Sequence, residues 1–516
     1  MNTDFKDSIM SAISSFTQAI LNIFYQLTTI PHGSFNTNEM AAFLESFAKS
    51  NDYAIKKDSV GNILAYKENT ESKVCFQCHY DMVCVGLAAQ NLALNLLQTK
   101  RKSNNIEQTW LKAQDSSLGA DNGMGMAIMM YFMQQGIHAE FLFTNDEEVG
   151  MIGAKGLEIP IQSKILLNLD SEVLGEITIS CAGGFDLNYQ SEFITQEIPL
   201  NYHYYVLSSR NFAGGHSGLD INNPLPNYQN AILQSIYFLD KALNESEKDS
   251  LYVINWKGGE KRNSIPMHSK LIIASKQKLS IESNEFFVFE ELKEEHNELL
   301  DKTNEVFLQT PNGIEFKILY NLLLSLNIGV LDSIENAVQN SRSLSHISFA
   351  NGNLSLAFMG RANTNDLLQD NLTQLKKILE KEQSKQKKES LQIKMSEYYA
   401  PWEKQDKSIA SSSINKALCE TEEIKDSCGL KEILKAMCMS MQKHTKPFNI
   451  TPKIVELHAG LECGILLKRF KDLGLSDIIA LSIGPSINAP HSINEEVWIE
   501  SAGVIVAILQ DFMETI

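Results

Sequence analysis

The sequence predicts an α/β protein in which one sheet-and-helix domain is interrupted by a second domain of α+β type. Short apolar runs alternate with helical stretches in residues 1–185, and the same texture returns in residues 397–516. The region between them, residues 186–396, has period-two segments followed by a charged helix. Short strands that alternate with helices are typical of a sheet covered by helices on both faces. We therefore expect an α/β domain in two parts, 1–185 and 397–516, and an inserted α+β domain at 186–396.

The elements of the α/β domain follow from its apolar runs. In the first part these are KVCFQCHYDMVCV, NGMGMAIMMYFMQQ, AEFLFTND, SKILLNLD and EITISCAGG, of which the second is long enough for a helix. In the second part we expect a helix near 430–443, strands in TPKIVELHAG and IIALSIGP, and a helix in SAGVIVAILQDFMETI.

The inserted domain is predicted from strands such as HYYVLSSR and LYVINWKGG and from the helix in NLTQLKKILEKEQSKQKKES. On that helix Leu372, Leu375 and Leu379 form one apolar stripe, so the Lys and Glu residues are predicted to form a solvated face.

Composition excludes several classes of protein. The formal net charge of -18 over 516 residues argues against a non-specific surface for nucleic acid or anionic membrane. The longest apolar runs, such as GVIVAIL at 503–509, are too short to span a bilayer, and the first residues lack a basic region before an apolar one. We therefore expect a soluble cytoplasmic protein.

The cysteines point to a reduced protein rather than to a disulfide framework. They are scattered through a long chain: Cys75, Cys78, Cys84, Cys181, Cys419, Cys428, Cys438 and Cys463. The first two form a C-x-x-C, which would suit a redox pair or half of a zinc ribbon. No second C-x-x-C exists, and the first lies in an apolar strand, so two buried thiols are favoured.

Adjacent carboxylates follow the predicted strand AEFLF, in the stretch TNDEEVG. Asp146, Glu147 and Glu148 stand side by side where the chain leaves an apolar run. Desolvation and mutual repulsion both oppose this arrangement unless a cation or a proton-transfer task compensates.

Other residues of the metal-binding type occupy comparable positions. His79 and Asp81 are two apart on a strand and so share a face, while Asp121, Asp170 and His491 lie in loops or at strand ends. Each is a weak signal alone, because helix caps, turns and loops also favour these residue types. Together they suit an open α/β sheet, in which ligands bind beyond the carboxyl ends of the strands. Two imidazoles and three carboxylates fit two zinc-like ions with one bridging carboxylate, which leaves one glutamate of the pair as a base.

The ordered motifs resemble those of the co-catalytic di-zinc peptidases, and specifically the aminoacyl-histidine dipeptidase (Xaa-His dipeptidase, peptidase D) family. Peptidase V and carnosinase are more distant relatives. The resemblance covers nearly the whole chain: TTIPHGSFNTNEM, CHYDMV, GADNGMG, DEEVGMIGA, NLDSE, CAGG, GGHSGLDI, GGEKRNSIP, HAGLECG and APHSINEEV. It implies a zinc-peptidase-like catalytic domain with a mixed sheet, an inserted lid and dimerisation domain, and a homodimer.

The resemblance also implies how the metals are held. His79 and Asp170 would bind one ion, Glu148 and His491 would bind the other, and Asp121 would bridge them. The ions would be two Zn²⁺ per chain, with Co²⁺ or Mn²⁺ as substitutes.

The reaction implied is the hydrolysis of a peptide bond by a hydroxide formed between the two ions. Glu147 would be the general base, and Asp81 would orient the imidazole of His79. His216, from the inserted domain, would donate to the oxyanion, although a histidine in a glycine-rich surface loop would look the same in sequence.

Substrate contacts are predicted from three further segments. Asn263 in KRNSIP and Arg361 in MGRANT are candidates for holding the substrate, and a guanidinium suits a free C-terminal carboxylate. His458, Gly460 and Glu462 in HAGLECG would line the pocket, although a helix start explains that motif nearly as well.

The inserted domain departs from the family pattern in two places. SLNIGV at 325–330 stands where an Ala-Leu-Pro-type turn is usual, and NSRSLS at 340–345 stands where a Thr-Ser-x-Asn-Leu-type segment is usual. Both departures fall where substrate preference would be set.

Three functions are compatible with these residues. The first is a di-zinc dipeptidase for unblocked dipeptides, Xaa-His included. The second is a metal-dependent amidohydrolase of N-acyl amino acids. The third is a binding protein without catalysis. HAGLECG and GGEKRNSIP favour the first, and the complete metal and base set argues against the third.

Overall fold

The chain folds as two units, one of which is assembled from three separate stretches. The computed structural model describes residues 3–90, 94–103, 106–199, 201–292, 311–334, 337–384, 391–406 and 429–516. The first unit comprises the described residues of Met1–Cys181, Trp402–Glu456 and Leu461–Ile516. The second comprises those of Ala182–Pro401 and Leu457–Gly460. The sequence-based boundaries lay at 185 and 397, and nothing in the sequence indicated that the short Leu457–Gly460 segment joins the second unit.

The helices and strands alternate in the first unit, whereas strands predominate in the second. The helices are α1 Thr3–Leu27, α2 Asn38–Ser50, α3 Ala120–Gln134, α4 Ile152–Lys155, α5 Ala231–Ala242, α6 Glu245–Asp249, α7 Phe316–Ser325, α8 Asn365–Ser384, α9 Leu430–Thr445, α10 Cys463–Asp472 and α11 Ile499–Thr515. The strands are β1 Ala54–Lys57, β2 Ile63–Tyr66, β3 Val74–His79, β4 Leu96–Ser103, β5 Ile106–Ala113, β6 Glu140–Thr144, β7 Ile165–Asn168, β8 Glu176–Cys181, β9 Gly183–Glu192, β10 Gln196–Glu197, β11 His203–Ser209, β12 Gly215–His216, β13 Leu251–Gly258, β14 Ser264–Ile265, β15 Ser269–Ser275, β16 Phe287–Glu291, β17 Asn312–Glu315, β18 Gly329–Ile334, β19 Ala337–Ala350, β20 Asn353–Ala362, β21 Leu391–Tyr399, β22 Lys453–Leu457, β23 Ile479–Ser482, β24 Ile487–Asn488 and β25 Glu496–Trp498.

The first unit contains a mixed sheet with the strand order β1-β2-β6-β3-β7-β23-β8-β22. Strand β3 pairs in parallel with β6 and β7, and β7 pairs in parallel with β23. All residues of β3, β6 and β7 are buried, as expected for parallel strands covered on both faces. The register aligns His79 with Thr144, so the residues that follow these strands emerge at one edge of the sheet. This mixed sheet flanked by helices confirms the predicted fold class.

Helices α1, α3 and α11 contribute much of the apolar core of the first unit. On α1 the buried residues Ile13, Ile20, Phe24 and Leu27 recur at helical spacing, so one face packs inward. Helix α3 is buried throughout Ala120–Met133, which identifies it as an internal helix. Its first turn therefore has a fixed position relative to the sheet.

A four-stranded sheet with the order β24-β25-β5-β4 completes the first unit. Strands β24 and β25 form a hairpin in which Asn488 pairs with Glu496. The predicted ligand His491 lies in the connection of this hairpin, and β25 pairs with β5. The hairpin thus anchors the His491 loop.

The second unit is built on an antiparallel sheet with the main order β16-β11-β15-β13-β19-β20-β9-β21. Helices α5, α7 and α8 contribute to the apolar core with these strands. Leu372, Leu375 and Leu379 of α8 are buried, which confirms the predicted apolar stripe. Part of that predicted helix, 385–390, lies outside the described residues.

Cys75 and Cys78 are buried on β3 and free, which confirms two buried thiols. Cys419 and Cys428 lie outside the described residues. Over the part of the chain that the structure describes, no helix combines the length and apolarity that a bilayer span requires.

Candidate metal centre

Five predicted ligand side chains meet at the carboxyl edge of the first unit's sheet. His79 Nε2 lies 3.2 Å from Asp121 Oδ1 and 3.4 Å from Asp170 Oδ1. His491 Nε2 lies 3.0 Å from Asp121 Oδ2 and 2.9 Å from Glu148 Oε2. The two oxygens of Asp121 thus face different histidines.

The ligand atoms of the cluster form three overlapping groups, each within 4.8 Å: His79, Asp121 and Asp170; Asp121, Glu148 and His491; and His79, Glu147 and Glu148. Glu148 Oε1 is buried and has no hydrogen-bond partner among the described residues. Imidazole nitrogens with carboxylate oxygens are the donor set of zinc-like ions, and a buried carboxylate oxygen without a donor is satisfied by a cation. The residues therefore fit the binding of divalent cations.

Electrostatics within the cluster reflect its burial and its excess of negative charge. Burial and the neighbouring Asp121 raise the pKa of Glu148 to about 7. Burial is also the main cause that holds the pKa of Glu147 well above its usual range. Burial alone would lower the pKa of His491. Hydrogen bonds to Asp121 and Glu148 outweigh burial and raise that pKa to about 12. Protons and metal ions would therefore compete for these side chains.

Asp81 has more contacts than the sequence indicated. Its carboxylate accepts hydrogen bonds from Ser34 Oγ at 2.7 Å and from the backbone N–H groups of Glu147 at 2.9 Å and Glu148 at 3.3 Å. The Nδ1 of His79 lies 2.9 Å from the backbone carbonyl of Asp81 and 3.5 Å from its carboxylate. The nearer partner of the imidazole is therefore the carbonyl, while the carboxylate fixes the backbone of both glutamates.

A belt of buried polar side chains crosses the strands just below the ligands. Gln77 Nε2 donates to Thr144 Oγ1 at 3.0 Å and to Glu462 Oε2 at 2.7 Å. Asn168 Nδ2 donates to Gln77 Oε1 at 2.7 Å, and Ser482 Oγ donates to Asn168 Oδ1 at 2.5 Å. The belt joins β6, β3, β7 and β23 close to the end of β3, where the ligand His79 lies. Hydrogen-bonded networks of this kind rigidify a buried site.

Glu462 belongs to this belt rather than to an open pocket. Its side chain is 0% exposed, and Thr144 Oγ1 donates to it at 2.6 Å. Burial raises its pKa to about 7. The predicted contact with substrate therefore does not match its interior position.

Glu495, which no sequence pattern singled out, is 2% exposed and lies beside the turn that carries Asp121. The available signal was its place in APHSINEEV, four residues after His491. A glutamate in a loop motif has no distinctive spacing, so only the fold reveals its partners.

The second unit brings together His216, Arg361 and Tyr399. The Nδ1 of His216 accepts the backbone N–H groups of Gly218 at 3.3 Å and Leu219 at 3.1 Å, which leaves Nε2 as the ring nitrogen directed at other side chains. Arg361 Nη2 lies 3.2 Å from that Nε2, and Arg361 Nη1 donates to Tyr399 Oη at 2.8 Å. An imidazole beside a guanidinium suits an anionic oxygen, because the guanidinium attracts the charge and a protonated Nε2 could donate to the same oxygen.

His458 lies in the second unit with both ring nitrogens engaged. Nδ1 donates to Asn363 Oδ1 at 3.0 Å, and Ser341 Oγ donates to Nε2 at 2.8 Å. Burial and then the charge of Arg361 lower its pKa to about 3, so the ring is neutral. These bonds hold the Leu457–Gly460 segment, which includes Gly460, in the second unit. His458 was predicted to line the pocket, and its engaged ring differs from that prediction.

Asn263 supports the His216 loop through its backbone. Its carbonyl accepts the N–H of Ser217 at 2.8 Å, and His216 pairs with Ser264 in the small β12–β14 sheet. A role for the Asn263 side chain stays a prediction.

The two departures from the family pattern lie against each other in the second unit. Gly329 of β18 pairs with Arg342 of β19. Arg342 is 1% exposed, and its Nη1 donates to the carbonyl of Leu326 at 2.5 Å while its Nε donates to Asn371 Oδ1 at 2.9 Å. The segments at 325–330 and 340–345 thus form one altered region.

Known proteins match this chain over its whole length, although no family model matches it. A cytosol non-specific dipeptidase of Escherichia coli (strain K12) is 27% identical over 98% of this chain and 99% of its own. The crystal structure of aminoacylhistidine dipeptidase from Vibrio alginolyticus is 22% identical, with a TM-score of 0.62 over 95% of this chain and 96% of its own. A tripeptidase from Staphylococcus aureus subsp. aureus Mu50 is 12% identical, with a TM-score of 0.54 over 96% and 98%. Both of these solved structures share the fold of this chain.

The chain thus combines the fold of these solved peptidases with a cluster of imidazoles and carboxylates at its sheet edge that could hold metal ions. In sequence, the chain is similar over 98% of its length to a dipeptidase, and its motifs resemble those of the aminoacyl-histidine dipeptidases.

Proposed function

We propose that this protein is a metal-dependent dipeptidase that hydrolyses unblocked dipeptides, with Xaa-His among its substrates. The observation that carries the proposal is the cluster of five ligand side chains with a further glutamate, Glu147, beside it. The full-length match to a dipeptidase supports the reaction class.

We assign His79 and Asp170 to one zinc-like ion and Glu148 and His491 to the other, with Asp121 shared by both. The short contacts of Asp121 with both histidines support this assignment. Bound ions of this kind lower the pKa of water and stabilise negative charge on a carbonyl oxygen.

Glu147 is the proposed general base, which takes a proton from water and returns it to the leaving amine. A base must be held within hydrogen-bonding reach of its proton and needs a pKa near the working pH. The bond from its backbone N–H to Asp81 supports the first condition, and burial raises the pKa of its carboxyl above the usual range, which is the direction that a base requires. Asp81 positions both glutamates and the imidazole of His79.

The second unit is proposed to hold and polarise the substrate. His216 would donate its Nε2–H to the developing oxyanion, and Arg361 would bind the C-terminal carboxylate. The backbone N–H groups that occupy Nδ1 of His216, and the guanidinium of Arg361 beside its Nε2, support both roles. We propose a cytoplasmic location, since the Escherichia coli relative is described as cytosolic. The homodimer implied by the resemblance stays a prediction.

A substrate panel tests the function. The zinc-loaded protein is expected to release amino acids from Gly-His, Ala-His and Leu-Gly. Its kcat/KM for N-acetyl-His, N-acetyl-Ala and N-acetyl-Leu should be lower by more than about a hundredfold. The physical reason is that a site built for a free ammonium group leaves its polar partners unpaired when an acyl group takes that place. Preference for the N-acetyl compounds would identify an amidohydrolase, and binding without turnover would identify a binding protein.

His216→Ala tests the proposed oxyanion donor. We expect kcat to fall by about a hundredfold to a thousandfold, since this is the usual loss for one such donor. KM should change less, because the donor acts mainly on charge that develops in the transition state. His268→Ala is the matched control, because His268 is an exposed histidine of the same unit paired with Glu260. If steady-state kinetics of the metal-loaded variants show a loss under about threefold for both, the His216 loop has no catalytic role.

A further inference from the structure

The carboxylate of Glu495 lies in the turn that opens helix α3. Its Oε2 accepts the backbone N–H groups of Leu118 at 2.8 Å and Gly119 at 3.0 Å. Its Oε1 accepts those of Ala120 at 2.8 Å and Asp121 at 3.2 Å. Four consecutive N–H groups therefore converge on one carboxylate, two on each oxygen.

These four groups need a partner from elsewhere in the chain. The first N–H groups of a helix have no intrahelical acceptor, and Gly119 before α3 has no side chain to cap them. Gly119 has a φ of 70°, which turns its N–H toward the same point as its neighbours. A carboxylate at this place is also favoured by the positive end of the helix. Glu495 thus fixes the backbone from which the Asp121 side chain projects.

The same glutamate belongs to the segment that carries His491. Both residues lie in the connection between β24 and β25, whose pairing closes just after Glu495 at Glu496. His491 contacts Asp121 at 3.0 Å through side chains. The Glu495 carboxylate adds a second link, from the His491 loop to the backbone of Asp121.

We propose that Glu495 is a positioning residue that sets the distance between Asp121 and His491 and thereby the affinity of the centre for its metal ions. This inference rests on the proposed metal centre. Its physical basis is that a ligand held in place before binding costs less free energy to order when the ion arrives. A carboxylate that merely caps α3 would contribute to stability and leave metal affinity unchanged.

The test is the Glu495→Gln variant, measured for zinc affinity by competition with a chromophoric chelator. Glutamine keeps the shape of the side chain, but its amide nitrogen is a donor that would face two backbone N–H groups. Glu140→Gln is the matched control. Glu140 is 3% exposed and accepts the N–H groups of Gln162 and Ser163, but it begins β6, at the end opposite Glu147.

The zinc dissociation constant of Glu495→Gln is expected to rise about tenfold to a hundredfold, as is usual when a residue that supports a ligand is removed. Glu140→Gln should lower the Tm of the metal-free protein and leave zinc affinity as in the wild type. Excess zinc should restore most of the turnover of Glu495→Gln. If Glu495→Gln fails to fold, Glu495→Asp, whose shorter side chain reaches fewer N–H groups, should show an intermediate loss of affinity.

Two outcomes would overturn the inference: wild-type zinc affinity in Glu495→Gln, or equal losses of affinity in Glu495→Gln and Glu140→Gln. A wild-type protein that binds no zinc would instead refute the proposed metal centre, so the two failures are distinguishable.

Discussion

Glu147→Gln is expected to keep its metal ions and to lose nearly all turnover. The amide has almost the size of the carboxylate, so the backbone bond from residue 147 to Asp81 and the surrounding ligands are retained. The amide cannot accept a proton, and loss of a general base lowers the rate about a hundredfold to ten-thousandfold. Steady-state kinetics combined with elemental analysis of the same sample measures both quantities.

Glu148→Gln is the matched comparison, because the backbone N–H groups of both glutamates donate to the Asp81 carboxylate. Glu148 Oε2 contacts His491 at 2.9 Å, so its replacement should lower metal content as well as activity. Near-normal turnover in metal-loaded Glu147→Gln would remove the base role from this residue. Equal metal loss in both variants would make Glu147 a ligand instead.

Removal of the metal ions is expected to abolish activity completely. The cluster contains Asp121, Asp170, Glu147 and Glu148 within a small buried volume, and two cations are the proposed source of the compensating charge. We expect two ions per active chain by elemental analysis, and recovery after chelation on addition of Zn²⁺, Co²⁺ or Mn²⁺. The two imidazoles make Mg²⁺ a poorer substitute, because it prefers oxygen ligands.

Thermal unfolding gives this prediction a second measurement. A ligand that binds only the folded chain raises the Tm, so the metal-loaded protein should unfold at a higher temperature than the chelated one. Full activity with one ion per chain, or with none, would contradict the two-ion centre.

The location of the candidate centre could be predicted from sequence because its residues follow strands. His79 ends β3, Glu147 and Glu148 come shortly after β6, and Asp170 comes shortly after β7. Residues that follow neighbouring parallel strands lie at one edge of the sheet, so their position can be predicted without knowing how the side chains pack. His491 does not follow a parallel strand, and only the resemblance to a family assigned it to a particular ion.

Partners that depend on long-range packing could not be predicted. Glu462 and His458 come from one short motif, yet one lies under the first unit's ligands and the other joins β19 of the second unit. The register of β18 and β19, which brings the altered segments together through Arg342, depends on pairing that leaves no periodic signal in the sequence. Glu495 was missed for the same reason.

The place of β23 within its sheet affects how the protein can fold during synthesis. This strand lies between β7 and β8, although it is translated long after both. In a nascent chain, β7 and β8 therefore each have one strand edge that stays unpaired until Ile479–Ser482 has been translated. Exposed edges invite pairing with other chains, and such late closure slows folding. We expect ribosome-bound intermediates to depend on chaperones for protection, and to have no zinc-binding centre until His491 has been translated.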